Sequence, residues 1–177
     1  SYHYDAQGNL IEVIDPLGNL TQYGYDAVGR QTSMTDANNH TVRFEYDGND
    51  NLIRLIDPKG QVTTFKYDGN DSLIQMTDRR GGVTTYHYDV NLKLTAETDP
   101  LGNTTSYTYD AMYNRVSMTD PNSNITHYRY DAIYQLTDIE DANHGLTHFD
   151  HDPNGNVTGV IDAIGNATRF EYDAADR

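Results

Sequence analysis

The sequence predicts an all-β fold: tandem 21-residue β-hairpin repeats forming a long antiparallel meander sheet, which coils as a shell wall or β-solenoid. Three observations carry this reading. A Tyr-Asp pair returns every 21 residues, its first position falling at Tyr4, Tyr25, Tyr46, Tyr67, Tyr88, Tyr109, Tyr130, His151 and Tyr172. A second aspartate keeps the same interval at Asp15, Asp36, Asp57, Asp78, Asp99, Asp120, Asp141 and Asp162. The segments between these turns run about five to seven residues and are rich in Thr, Tyr, Ile and Val, which suits strands and is too short for helices. Self-similarity at a fixed period marks a repeat architecture, in which a unit too small for its own core leans on its neighbours. Residues 1–177 are expected to form a single array of eight full repeats with partial repeats at both ends.

Numbering each repeat from its tyrosine as offset 0, the elements follow in order. The first is a turn, Tyr-Asp-x-x-Gly, complete at Asp5-Ala6-Gln7-Gly8. Asp caps the local backbone and Gly at the fourth position takes the left-handed conformation. Five of the eight full repeats lack that glycine and carry Asp50, Asp71, Leu92, Tyr113 or Tyr134 instead, so a looser turn is expected there. A strand follows, as in Leu52-Ile53-Arg54-Leu55-Ile56. The second turn is Asp-Pro-x-Gly, complete at Asp15-Pro16-Leu17-Gly18 and Asp99-Pro100-Leu101-Gly102, with Gly60 and Gly165 in the same place. All five prolines directly follow an aspartate, where Pro presets φ and the ladder needs no donor from it. The second strand then leads into the next tyrosine, as in Val62-Thr63-Thr64-Phe65-Lys66-Tyr67.

Strand alternation assigns the faces. Offsets 17, 19 and 21 share one face, and the residue two before each ladder position is Tyr23, Phe44, Phe65, Tyr86, Tyr107, Tyr128, Phe149 or Phe170. Of the 19 aromatic residues, 17 occupy these two columns, counting Tyr2 two before Tyr4, which concentrates the low apolar content into one structural aromatic ladder. Offsets 7 and 9 are expected to join that face, and offsets 6, 10 and 16, as in Leu10, Ile14 and Leu20, to lie on the other. Because 21 is odd, two odd loops per repeat would put the next aromatic row on the wrong side. One turn should therefore be odd and one even, with Asp-Pro-x-Gly the odd one. Sixteen or seventeen strands at a spacing of about 4.8 Å make a strip roughly 80 Å long, and twist keeps a strip of that length from lying flat.

A net charge of −15 excludes nucleic acid and anionic membrane as natural partners. Seventeen of the 22 aspartates sit at the two turn positions, so turn chemistry rather than an acidic binding patch explains the charge. With no cysteine, disulfides, thiol catalysis and zinc-thiolate sites are excluded. No apolar run approaches membrane-spanning length. The chain starts at Ser1 and begins and ends in mid-repeat, which points to a piece of something longer.

Candidate chemistry is thin. His144, His148, His151 and Asp152 form the densest titratable patch; His144 and His148 could share a strand face, but His151 has opposite parity. His151 reads as a replacement for the ladder tyrosine rather than a metal ligand. The aspartate columns raise calcium, yet calcium-binding β-rolls use a nine-residue glycine-rich period, so no cofactor is expected, with calcium the alternative. An array that repeats one unit evenly lacks the singular pocket of an enzyme, and no catalytic residue is assigned. Tyrosine rows could bind sugars, or could simply pack on Thr and Ile across strands.

Tyr25-Asp26-Ala27-Val28-Gly29-Arg30 followed by Thr35-Asp36, and Asp99-Pro100-Leu101-Gly102-Asn103-Thr104-Thr105-Ser106-Tyr107, resemble the YD-repeat or RHS-repeat pattern. The resemblance covers the whole chain. It implies repeats that coil as one continuous sheet into a hollow shell: bacterial cocoons around a C-terminal toxin, the shells of insecticidal toxin complexes, or the extracellular adhesion scaffold of teneurins. The family's conserved-core segment, autoproteolytic aspartate motif and toxin domain have no counterpart in these residues, so the enclosing role is implied for a longer parent. The expected function is a non-enzymatic structural module of a secreted, extracellular or cell-surface protein, bacterial by resemblance. Its partners would be the rest of the parent chain, an enclosed toxin, or identical copies joined through edge strands. A self-assembling fibre subunit and a surface-glycan-binding module are the alternatives.

Overall fold

In the computed structural model, which describes residues 1–173, the chain is all strand and turn, with seventeen strands of one antiparallel sheet. They alternate between short strands after each Tyr-Asp turn and six-residue strands into the next tyrosine. In order they are β1 (Tyr2–Tyr4), β2 (Leu10–Ile14), β3 (Leu20–Tyr25), β4 (Gln31–Thr35), β5 (Thr41–Tyr46), β6 (Leu52–Ile56), β7 (Val62–Tyr67), β8 (Leu73–Thr77), β9 (Val83–Tyr88), β10 (Leu94–Thr98), β11 (Thr104–Tyr109), β12 (Arg115–Thr119), β13 (Ile125–Tyr130), β14 (Leu136–Glu140), β15 (Leu146–His151), β16 (Val157–Ile161) and β17 (Ala167–Arg169).

The chain divides into two compact units. The first comprises Ser1–Tyr86 with Asp99–Leu101, and the second His87–Thr98 with the residues from Gly102 onward. Within each unit every strand pairs with its sequence neighbour, so the connections are hairpins throughout.

Both turns of a repeat prove to be the same object, which corrects the expectation of one odd and one even loop. At the first, the Gly8 N–H donates to the Asp5 carbonyl at 3.1 Å and the Asp5 N–H to the Asn9 carbonyl at 2.9 Å. At the second, Gly18 donates to Asp15 and Asp15 to Asn19, each at 3.1 Å. Each is a three-residue loop: a type I turn followed by a left-handed residue. Parity is restored instead by a β-bulge beside the Tyr-Asp turns. The register runs Tyr23↔Met34, Gly24↔Ser33 and then Tyr25↔Gln31, which leaves Thr32 without a partner. The same slip occurs at Tyr46↔Leu52, Tyr67↔Leu73, Tyr109↔Arg115, Tyr130↔Leu136 and His151↔Val157. One extra residue per repeat turns the strand over once more and brings the aromatic row back to its own face.

The bulge moves two columns from where alternation alone would place them. Offset 6, expected opposite to the aromatics, lies directly across from the ladder tyrosine, as Leu10 does from Tyr4. Offset 7, expected among the aromatics, is the bulged residue; the Thr95 and Thr137 hydroxyls there donate to the carbonyls of His87 and Arg129 at 3.1 and 3.2 Å. Offset 9 does join the aromatic face, through the cross-strand pairs Phe44↔Leu55, Phe65↔Met76 and Phe149↔Val160.

Among the described residues no large apolar side chain is buried; the strand residues are half-exposed. Cohesion therefore comes from the hydrogen-bond ladder and from cross-strand side-chain pairs, each contributing about 0.2–1 kcal/mol, rather than from a core.

Candidate functional site

The feature that recurs through the array is a tyrosine hydroxyl that closes a hairpin, seen at six of the ladder positions. Tyr25 Oη donates to the Leu10 carbonyl at 2.9 Å, fifteen residues back. Tyr46 does the same to Gln31, Tyr67 to Leu52, Tyr109 to Leu94, Tyr130 to Arg115 and Tyr172 to Val157, all between 2.8 and 3.0 Å. The cause is local. Leu10 pairs with Tyr4 next to the Asp5–Asn9 hydrogen bond, and antiparallel ladders alternate, so the Leu10 carbonyl faces β3. The β2–β3 register, however, begins only at Glu12↔Gln22. The bulge has opened the ladder at its last step, and the phenol fills the vacant position. Burial pushes the Tyr67 and Tyr130 phenols above their ordinary range, in keeping with hydroxyls held against the sheet.

The other ladder positions fall as follows. Tyr4 lies on β1, 60% exposed; Tyr88 ends β9 and His151 ends β15 in the tyrosine's place, across from Val157. Tyr23, Tyr107 and Tyr128 face Met34, Met118 and Ile139; Tyr86 lies on β9, and Phe170 follows β17, its N–H donating to the Thr158 carbonyl. Cations at offsets 5 and 6 cover some rings. Arg115 stands 4.6 Å from the Tyr128 ring and 5.7 Å from Tyr107, and Arg30 stands 5.0 Å from Tyr46.

The turn aspartates share one geometry. Asp15 Oδ1 accepts the N–H groups of Leu17 and Asn19 at 2.8 and 2.9 Å, and Oδ2 accepts the Asn19 side-chain amide at 2.8 Å. Asp120 and Asp162 repeat all three bonds. Asp36, Asp57, Asp78 and Asp141 repeat the backbone pair, and Asp99 accepts from Leu101. Gly18, Gly60, Gly102 and Gly165 hold φ between 78° and 88°. These donors hold the carboxyls of Asp15, Asp36, Asp78, Asp120 and Asp162 below the ordinary carboxylate range. The side-chain amide is the largest cause at Asp15, Asp120 and Asp162, and the backbone N–H of His40 or Gly82 at Asp36 and Asp78.

The glycine-less Tyr-Asp turns are not looser, contrary to expectation. Asp50, Asp71, Leu92, Tyr113 and Tyr134 all take the left-handed conformation, with φ from 60° to 70°, and keep the type I hydrogen bond. For non-glycine residues this costs about 1–2 kcal/mol. Contacts with the preceding turn offset part of it: Arg30 reaches Asp50 at 2.7 Å, Asn51 reaches Asp71 at 2.7 Å, and Lys93 covers the Tyr113 ring at 5.1 Å. Sequence reasoning missed this column, in which offset 5 of one repeat meets offset 4 of the next. Leu92 shows no such polar partner and is half-exposed. Leu92→Gly is therefore expected to raise the unfolding free energy by about 1 kcal/mol, read in urea melts; a loss of stability would show that the side chain earns its strained backbone.

The histidine patch resolves into ion pairs. His144 occupies the left-handed position of the Asp141 turn, not a strand, and its Nδ1 lies 3.0 Å from Glu140. His148 lies between Asp138 at 2.8 Å and Asp150 at 3.4 Å; its hydrogen bond to Asp138 raises its pKa above the ordinary imidazole value. Among the described residues no group of three or more His, Asp or Glu is arranged to hold a metal. A groove of about 640 Å³ lies between two successive Tyr-Asp turns and is lined by Asp5, Gln7, Asn9, Tyr23, Tyr25 and Val28 among others. A second, lined by Asp89, Asn91, Tyr107, Tyr109 and Tyr113, has the same address in the repeat.

Fold and repeat grammar together define a tandem-repeat structural sheet. The RHS Repeat family matches residues 4–41, 46–83, 88–125 and 151–177, and the chain belongs to that family. Solved structures similar in fold include the TcdB2-TccC3-Cdc42 crystal structure (TM-score 0.67, 16% identity, 99% of this chain and 12% of that one). The Photorhabdus luminescens Tc holotoxin pore is similar to the same degree (TM-score 0.67, 14% identity, 98% and 12%), as, less closely, is TcdB2-TccC3 (TM-score 0.56, 17% identity, 97% and 12%). This chain thus spans about an eighth of the length of those chains. No curated protein matches it.

Proposed function

We propose that the chain is a segment of the wall of a β-sheet shell carried by a longer, secreted bacterial protein, and that it acts by enclosing a cargo, such as a toxin, rather than by catalysis. The observation that carries this reading is the sheet's economy. Hairpin after hairpin is closed by the same tyrosine–carbonyl bond and the same aspartate turns, and among the described residues no large apolar side chain is buried against either face. Such a sheet is one layer thick and can be extended by adding repeats, each of which needs only its neighbours. Its likeness to toxin-complex chains, whose length would hold about eight such segments, supports a wall assembled from many repeats. The aromatic ladder and the turn aspartates are the parts that hold the wall in register.

Electron microscopy of the chain over a concentration series tests the reading. Short curved particles whose length does not grow with concentration are expected, as befits an arc of wall. Long filaments of constant width would sink it in favour of a fibre built through the open edge strands.

A further inference from the structure

Along the second unit, three consecutive Tyr-Asp turns break the pattern of the rest. Leu92, Tyr113 and Tyr134 occupy the left-handed position that Gly8, Gly29 and Gly155 take in other repeats. Each is about half exposed, at 50, 47 and 52%. The tip of each loop adds an aliphatic side chain, Val90, Met112 or Ile133, more exposed still. Elsewhere along this row of turns the left-handed residue is Gly or Asp, and Val28 alone among the loop tips is a large aliphatic. A bulky residue in that conformation is a backbone outlier, and strained positions that persist tend to mark functional contacts. Strain at Leu92, Tyr113 and Tyr134 and exposed apolar surface at all six positions are two independent departures along the same three turns.

We propose that this turn row is a docking surface for a second copy of the chain. The spacing selects the occupant. Tyr-Asp turns recur on one side of the sheet at every second strand, about 9.6 Å apart. A second array presents the same row at the same interval, so three turns can engage in register across an isologous, two-fold seam. A helix repeats at about 5.4 Å and would fall out of step within the length of the row. Six large side chains, half or more exposed, offer on the order of 600 Å² per copy, close to the roughly 800 Å² that a stable interface buries on each side. The aspartates of these turns are turned back into their own loops. Asp89, Asp110 and Asp131 each have one carboxylate oxygen holding two backbone N–H groups of their own loop. The surface consists of three turns, distinct from the edge strands, and forms whether or not the wall encloses a cargo.

Sedimentation velocity from low to high micromolar concentration tests the proposal. The wild-type chain is expected to pass from monomer to dimer. The variant Leu92→Gly/Tyr113→Gly/Tyr134→Gly should dimerise at least about tenfold more weakly, while its melting temperature holds or rises as the left-handed positions relax. Val90→Ser/Met112→Ser/Ile133→Ser, which leaves the backbone outliers in place, should weaken the dimer as well. A wild type that stays monomeric throughout would overturn the proposal. So would variants that associate as the wild type does, which would assign the contact to the edge strands.

Discussion

Acidification from about pH 7 to about pH 3 is expected to cut the stability of the chain steeply, with most of the loss below pH 4. Asp5, Asp15, Asp26, Asp36, Asp78, Asp110, Asp120, Asp152 and Asp162 all titrate below the ordinary carboxylate value in the folded chain. Asp47 joins them, its partial burial outweighed by the N–H groups of Asn51 and Asn49. A carboxyl with a depressed folded pKa contributes stability above its unfolded value, near 3.8, and that contribution disappears as pH falls through the folded value. Each contribution is small alone, but the groups titrate over one narrow window and each holds a turn. His148 has the opposite sign: its raised pKa adds stability that is complete below about pH 6.5 and lost as pH rises through the folded value. The profile should thus rise slightly on leaving neutrality and then collapse. Urea midpoints against pH check it, and Asn at Asp15, Asp120 and Asp162, which keeps an acceptor oxygen but does not titrate, should flatten the acid limb. A profile level down to pH 3 would mean that the carboxylate bonds do not stabilise the turns.

Tyr130→Ala is expected to cost about 2 kcal/mol, below the 3–5 kcal/mol typical of fully buried aromatic rings, because this ring is only half-buried. About 1 kcal/mol of it should belong to the hydroxyl, so Tyr130→Phe should lose roughly that much while keeping the ring beside its neighbours on β14. Tyr4 supplies the contrast: it has the same address, no hydroxyl bond to an earlier strand and 60% exposure, and Tyr4→Ala should fall within about 0.5 kcal/mol of wild type. Equal losses at Tyr4 and Tyr130 would remove the carbonyl bond from any role in closing the hairpin. Urea denaturation of the three variants decides between these outcomes.

Much of this was legible in the residues. The Asp-x-x-Gly spacing fixes a turn because it states both requirements locally, an acceptor for two N–H groups and a residue at ease with positive φ. The 17 aromatics in two columns likewise declare a face, since a strand's side chains alternate whatever the surrounding fold. What failed was the inference that an odd period needs an even loop. A loop of different parity and a bulge each shift the strand by one residue, and nothing in Tyr-Asp-x-x-Gly chooses between them. The uniformly β-branched offset 7, Ile11 through Thr158, was the one available signal of the bulge, and it read equally well as ordinary strand. Missing the bulge also hid the carbonyl that it frees and the phenol that takes it.

The sequence by itself determined the repeat, the strand order and the two turns of each hairpin, because each is set by residues within a few positions of one another. The three-dimensional structure alone decided where offsets 6 and 7 fall, what the tyrosine hydroxyls bond to, and that Leu92, Tyr113 and Tyr134 hold a backbone shape glycine would take more easily. Those outcomes depend on contacts made 15 to 22 residues away, where the ladder and the neighbouring turn overrule local preference.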